Sequence, residues 1–309
     1  MTISKEKKKK SDWLTHHKDL IFYCLMMIWP VAQFCVFYIG VNFNSVLLAF
    51  QEIDILNNTT IYTINNIKQA LFNMTSAKNF LIVAKNSLIG YALTLGAGTS
   101  LGLFFSYYIY KKMPGHGAFR VLLFMPSILS NIVMVMMFQC FVEQAIPVLW
   151  QQLFDEKIQG LIENTSTRFG TIMFFNIWTG FGTSVLMYSN SMSGISEEIV
   201  ESAHLDGATG FREFIHITLP MVYPTLTTFI VVGVAGIFTN QLSLYSFYGD
   251  HAPEEIQTYG YYFYKNTRRA TSIAEYPILS AMGLLMTFIT VPLTLLIKRV
   301  LEKFGPSEE

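Results

Sequence analysis

The sequence predicts an all-α, polytopic membrane protein with six transmembrane helices, and three observations carry that expectation. Of its 309 residues 52% are hydrophobic and only 14% charged, with a mean hydropathy of +0.39. A soluble chain of this length would bury its core inside a charged shell. Intervals of 18 or more residues without Asp, Glu, Lys or Arg occur six times, at 20–51, 86–110, 121–142, 169–196, 214–249 and 276–297. A bilayer-spanning helix needs roughly 20 mostly apolar residues, so each interval can hold one. The basic residues also divide unevenly. Lys5, Lys7, Lys8, Lys9, Lys10 and Lys18 precede the first interval, and Lys111, Lys112 and Arg120 flank the second connection. Arg212 sits in the fourth connection, and Lys298, Arg299 and Lys303 follow the last interval. That arrangement puts 13 of the 21 basic residues on one face of the membrane against 8 on the other. Because basic residues near span ends stay cytoplasmic, both termini are expected inside, with the chain in the plasma membrane.

Four segments are expected: a basic tail (1–18), a first span with an outer segment (19–79), a core (80–298) and a short tail (299–309). The opening Lys run is read as the flank of an uncleaved first span at about 20–42, because no small-residue cleavage site follows. The outer stretch "DILNNTTIYTINNIKQALF" reads as turns followed by a short amphipathic helix. Span two, about 80–110, carries Gly90, Gly96, Gly98 and Gly102, which permit close helix approach. "KKMPGHG" is a tight reversal anchored by Lys111 and Lys112. Span three is expected over about 119–142, kinked by Pro126. Span four covers about 170–192, span five about 221–248 and span six about 276–298. Sequons at Asn57, Asn58, Asn73 and Asn164 fall on the expected outer side, where such patterns arise by chance. Cys24, Cys35 and Cys140 lie inside spans as small hydrophobes, and their spacing suggests neither a disulfide framework nor a metal site. Zero net charge points to no nucleic-acid partner.

The connection at 196–220 is too polar to insert. Ser196 is a plausible N-cap, with Glu197 and Glu198 in the first turn where a helix N-terminus favours negative charge. Residues 197–206 read as a short helix that Gly207 terminates. Thr209 could cap a second helix with Phe214 and Ile217 on one face, and Pro220 and Pro224 would set the entry into span five. The expected product is a helix–turn–helix hairpin with an acidic rim and an apolar face containing Ile199 and Phe214, a docking surface by its exposure.

"ESAHLDGA" at 201–208, with Phe214, Ile217, Leu219 and Pro220 after it, resembles the EAA loop of ATP-binding-cassette importer permeases. The resemblance implies the type I importer permease fold and makes the hairpin a coupling element seated in a separate ATPase subunit. Glu201, Ala203, Asp206, Gly207, Ala208, Phe214, Leu219 and Pro220 match the family pattern. Ser202 replaces its first Ala, and Ser196 stands where many members carry Pro. "DGA" at 206–208 and "QTYGYYFYKNT" at 257–267 resemble the carbohydrate branch, of the maltose, glycerol-phosphate and multiple-sugar type. The Gly-Gly-Pro common in that branch is absent, with "YGDHAPEE" in its place. The resemblance further implies a second permease subunit (usually a different chain), two ATPase subunits and an extracellular solute-binding protein.

The chain lacks a G-x-x-x-x-G-K-[ST] phosphate loop; "GHGAFR" at 115–120 has no Lys-Ser/Thr pair. It is therefore expected to hold no cofactor, ATP being bound by the partner ATPases. No residue spacing suggests an enzyme. An ion-coupled transporter is the rival reading, but it needs ionisable groups at membrane depth and the six intervals contain no carboxylate. Polar and aromatic residues within spans are the candidates for a sugar pathway: Asn131, Asn176, Trp178, Asn240, Gln241 and Tyr245. Their alternative roles are bonding between helices and anchoring at the interface.

Overall fold

The structure is a computed structural model and describes residues 18–54, 59–76 and 80–306. The basic tail up to residue 17, the sequons at Asn57 and Asn58 and the last three residues lie outside the described residues. The chain forms two compact units, one of Met1–Ala70 with Ser272–Leu284, the other of Leu71–Thr271 with Leu285–Glu309.

In the first unit, helix α1 (Phe22–Ala49) is long and apolar enough to cross a membrane, and its apolar window is unburied. An apolar helix exposed on every side is suited to lipid. An antiparallel strand pair reaches into the stretch read as turns, β1 (Gln51–Asp54) ending on its first residue and β2 (Thr59–Tyr62) within it, in the register Gln51↔Tyr62 to Asp54↔Thr59. The Thr-Thr-Ile-Tyr run is rich in β-branched and aromatic residues that suit a strand. The expected amphipathic helix follows as α2 (Asn65–Ser76). Asn66 Nδ2 ties its start to the hairpin, donating to the carbonyls of Ala49 (3.3 Å) and Gln51 (2.7 Å).

The second unit is built on α3 (Phe80–Tyr110) and, further along the chain, α6 (Thr165–Ser193). At 1.5 Å per residue these 31 and 29 residues span about 43–46 Å, well beyond the ~30 Å hydrocarbon core. They meet closely: Ser106 Oγ donates to the Val185 carbonyl at 2.9 Å. Between them in sequence lie α4 (His116–Ile128) and α5 (Asn131–Phe154). Gly182 of α6 is where α4 crosses, since a Cβ there would collide with the Leu123 carbonyl oxygen. Asn164, read above as a chance sequon, caps α6, its side chain accepting from Ser166 N.

Two expected spans are redrawn. The third does not run through 119–142: α4 ends at Ile128, and the membrane-length helix is Asn131–Phe154. Pro126 lies inside α4, and the break falls at Leu129 and Ser130, which adopt extended ψ values of 150° and 132°. The fifth is not continuous over 221–248. α9 (Tyr223–Ala235) ends at Ala235 and is bent by 68° from α8 (Phe211–Met221), the second helix of the hairpin, which follows the short α7 (Glu197–Leu205). Pro224 explains the bend, because its missing N–H leaves the Pro220 carbonyl without an i→i−4 donor. Beyond Ala235 the helix stops, and Leu242 and Ser243 take positive φ of 51° and 56°. The side chain of Asn176 holds this strained segment. Its Nδ2 donates to the Leu242 carbonyl (2.9 Å) and its Oδ1 accepts from Ser243 Oγ (3.2 Å). The chain closes with α10 (Leu244–Tyr248), α11 (Tyr259–Arg269) and α12 (Glu275–Phe304). Among the described residues five helices are long and apolar enough to cross a membrane singly, and α8–α9 brings the number to six if the pair is one span.

Candidate functional site

The hairpin 197–220 begins as the sequence predicts. Ser196 Oγ accepts from Glu198 N at 3.3 Å, and Glu197 and Glu198 occupy the first turn. At the other end of α7, Gly207 has φ +78°. Its N–H bonds the His204 carbonyl at 3.0 Å and Ala208 N–H bonds the Ala203 carbonyl at 2.9 Å. These two bonds form a Schellman closure, which needs a left-handed residue just past the helix and so selects glycine. The second helix departs from expectation. Gly210 (φ 57°), not Thr209, occupies its N-cap, and no side chain caps it.

The eight motif residues divide by direction. Glu201, Asp206 and Gly207 are exposed, whereas Ala203 is buried and Ala208, Phe214, Leu219 and Pro220 are half-buried. Phe214 does not lie on an open apolar face. Its ring packs 4.9 Å from Tyr107 and, with Leu219, joins a cluster around Tyr188, Met192 and Val222. The exposed apolar surface is instead Leu205 (90% exposed) and Phe211 (74%) at the tip, with Ile199 behind (40%). Leu205 and Phe211 flank the Gly207 turn, and only the turn geometry places both at the tip.

A buried carboxylate anchors this tip. Glu213, 1% exposed, has Oε1 2.6 Å from Lys111 Nζ and Oε2 2.9 Å from His204 Nε2. Burial alone would raise the pKa of Glu213, but the bonds from Lys111 and His204 outweigh it and hold the carboxyl below its usual value. Tyr107 Oη adds a bond to the Gly210 carbonyl at 2.9 Å. Lys111, expected only as an interfacial anchor, thus joins the end of α3 to both helices of the hairpin. A glutamate in an acidic loop offers no sequence signal for burial.

A cavity of about 440 Å³ lies between α3, α6 and α9. Tyr91, Thr94, Gly98 and Thr99 of α3 line it, with Asn176, Gly180, Ser184 and Tyr188 of α6, Phe229 and Gly233 of α9, and Thr239 and Asn240 beyond. Of the six pathway candidates, it takes two. Asn176 contributes its wall while clamping residues 242–243, and Asn240, exposed, spends Oδ1 on Leu242 N at 2.8 Å. The other four lie away from this cavity. Trp178 packs beside Phe138 and Phe175, Asn131 Nδ2 donates to Ser246 Oγ, Tyr245 meets Tyr264 edge to face, and Gln241 sits half-buried beside the break.

Comparison with known proteins decides the family. Residues 98–307, two thirds of the chain and including the hairpin and most of the cavity wall, match the family described as the inner membrane component of binding-protein-dependent transport systems. The chain belongs to this family. Among relatives of this inner membrane component, a multiple sugar-binding transport system permease, MsmF of Streptococcus mutans, is 24% identical over 77% of the chain and 78% of its own length. A probable ABC transporter permease of Mycoplasma pneumoniae is 26% identical over 59% of the chain and 58% of its own length. The maltose/maltodextrin permease MalF of Escherichia coli is 24% identical over 60% of the chain but 35% of its own length. The chain therefore spans less than two thirds of the length of several of these relatives. Its fold matches a crystal structure of a bacterial ABC transporter that imports the acidic polysaccharide alginate, with a TM-score of 0.77 at 17% identity over 95% of this chain and 99% of that one.

Proposed function

We propose that this inner membrane component is a transmembrane permease subunit of an ATP-driven importer of a sugar or oligosaccharide. Two ATPase subunits that bind ATP act on it through the 197–220 hairpin. A second, different permease subunit completes the passage, and an extracellular solute-binding protein delivers the cargo. Both termini lie in the cytoplasm. The observation that carries the reading is the tip itself: Leu205 and Phe211, projecting from a hairpin whose buried Glu213 is braced to α3. Exposed large apolar groups on a braced mount form a docking surface, and a mount tied to α3 can pass motion from a motor to the spans. The likeness to MsmF and MalF supports a carbohydrate cargo, and a crystal structure of the bacterial alginate transporter in complex with alginate pentasaccharide-bound periplasmic protein supports the binding-protein partner. The chain supplies the path and its partners the energy, so no catalytic residue is assigned to it.

The test is uptake by proteoliposomes holding the whole complex, with and without internal ATP, combined with cross-linking of Leu205→Cys to the ATPase subunit. ATP-dependent uptake and a tip cross-link support the reading. Uptake driven by an ion gradient with no ATPase subunit present would sink it.

A further inference from the structure

Glycine inside a helix is destabilising relative to alanine, so each such position needs a reason. Packing supplies it at Gly102, where a Cβ would stand 2.9 Å from Ser184 Oγ, and at Gly182, where it would meet the α4 backbone. Gly98 and Gly180 have no such reason. Both lie well inside long helices, both line the 440 Å³ cavity, and a Cβ on either would meet nothing within 4 Å. Gly96 and Gly170 on the same helices are equally open but do not line the cavity, so what distinguishes Gly98 and Gly180 is the space they border.

The chemistry of the wall limits what that can be. No lining residue is Asp, Glu, Lys, Arg or His. The polar groups are hydroxyls and carboxamides, which both donate and accept, as a sugar hydroxyl does. Tyr188 Oη, on a fully buried side chain at the wall, has no partner in bonding geometry, although Thr99 lies alongside. Tyr91, Phe181 and Phe229 add ring faces suited to the C–H face of a pyranose. An ionised carboxylate at membrane depth needs a counter-charge, and this wall offers none.

We propose that Gly98 and Gly180 set the clearance of the passage, and that the passage takes an uncharged, hydroxyl-rich glycan and discriminates against acidic ones. The inference rests on the transport reading above and departs from the acidic cargo of the alginate importer with which the fold is shared.

The experiment uses the complete transporter with its binding protein in proteoliposomes. The probes are two oligosaccharide pools of matched length, neutral glucans and xylans in one and oligouronates in the other, with internalised sugar measured by mass spectrometry. Neutral uptake should exceed acidic uptake about tenfold or more, the scale at which an unpaired charge is rejected from a membrane site. Gly180→Leu and Gly98→Leu should each cut neutral uptake about tenfold while ATP hydrolysis and assembly persist, and Gly180→Ala should have a smaller effect in the same direction. Gly102→Leu is the packing control and should lower assembly itself. The inference is overturned if the acidic pool matches or exceeds the neutral one, if the neutral pool supports no uptake, or if both leucine variants assemble and transport normally. Neutral-selective uptake that needs no ATP would remove the ATP-driven reading and leave the inference about cargo standing.

Discussion

Lys111 Nζ lies 2.6 Å from Glu213 Oε1, although four helices separate the two residues in sequence, and the carboxylate is almost fully buried. Breaking a buried pair by removing one partner is costly because the other charge is left uncompensated. Glu213→Ala should therefore destabilise the hairpin by about 3–5 kcal/mol, toward the lower figure because Lys111 keeps 24% exposure. Hydrogen exchange should accelerate across 197–220 while the long spans stay protected. Unchanged protection at the hairpin would refute the anchoring role.

The same carboxylate sets a pH dependence. Its pKa in the fold lies below the usual 4.5. A group lowered in this way stabilises the fold fully above its unfolded value and loses that contribution as pH falls through the folded value. Protease resistance of the hairpin should hold at neutral pH and down to about 4.5, then decline below it. Glu213→Gln should flatten that acid limb; a limb of the same depth in the variant would assign it to other groups.

Leu205 and Phe211 make few contacts within the chain, so Leu205→Ser and Phe211→Ser should change its stability by no more than about 0.5 kcal/mol, as for other exposed sites. Both should weaken capture of the ATPase subunit about tenfold or more if the tip is the docking anchor. Co-purification and nucleotide hydrolysis by the assembled complex read the difference.

Gly207 holds φ +78° in the closure of α7. A β-branched residue opposes that geometry at a cost of about 1–2 kcal/mol, and asparagine opposes it less. Gly207→Val should abolish uptake while the chain still inserts in the membrane, and Gly207→Asn should retain part of it. Full uptake by the valine variant would remove the turn from the coupling path.

Gly182 and Gly180 are two residues apart on α6 and should behave oppositely toward alanine. At Gly182 the new methyl would strike the Leu123 carbonyl, which forces α4 and α6 apart and should lower the thermal midpoint. At Gly180 it would enter open space, and the better helix propensity of alanine should hold or raise that midpoint. A thermal-shift series on purified protein separates the two.

Much of this architecture was legible in the residues. The charge-free intervals located four of the membrane-length helices, and Ser196, Glu197, Glu198 and Gly207 specified α7 and its end, because capping and left-handed backbone are local properties. The failures have local causes too. Thr209 looked like a cap, but Gly210 beside it could take a positive φ and displaced it. Span five looked continuous because its composition stays apolar to Tyr248, while the chain leaves the helix at Ala235 for a segment that Asn176, distant in sequence, ties at the Leu242 carbonyl. Asn240 reached the cavity and Trp178 did not, a distinction that residue type could not make.

By itself the sequence determined how many segments suit the bilayer and where the polar hairpin interrupts them, since hydrophobic length and turn chemistry act within a few residues of chain. Only the tertiary structure decided which helix faces meet, and hence that Glu213 is buried against Lys111, that Phe214 turns inward while Phe211 stays out, and that Gly98 and Gly180 border one open space. A helix apolar on every side carries no periodic mark of its inner face, so the choice of neighbours falls to close packing and to polar groups that find partners across the bundle.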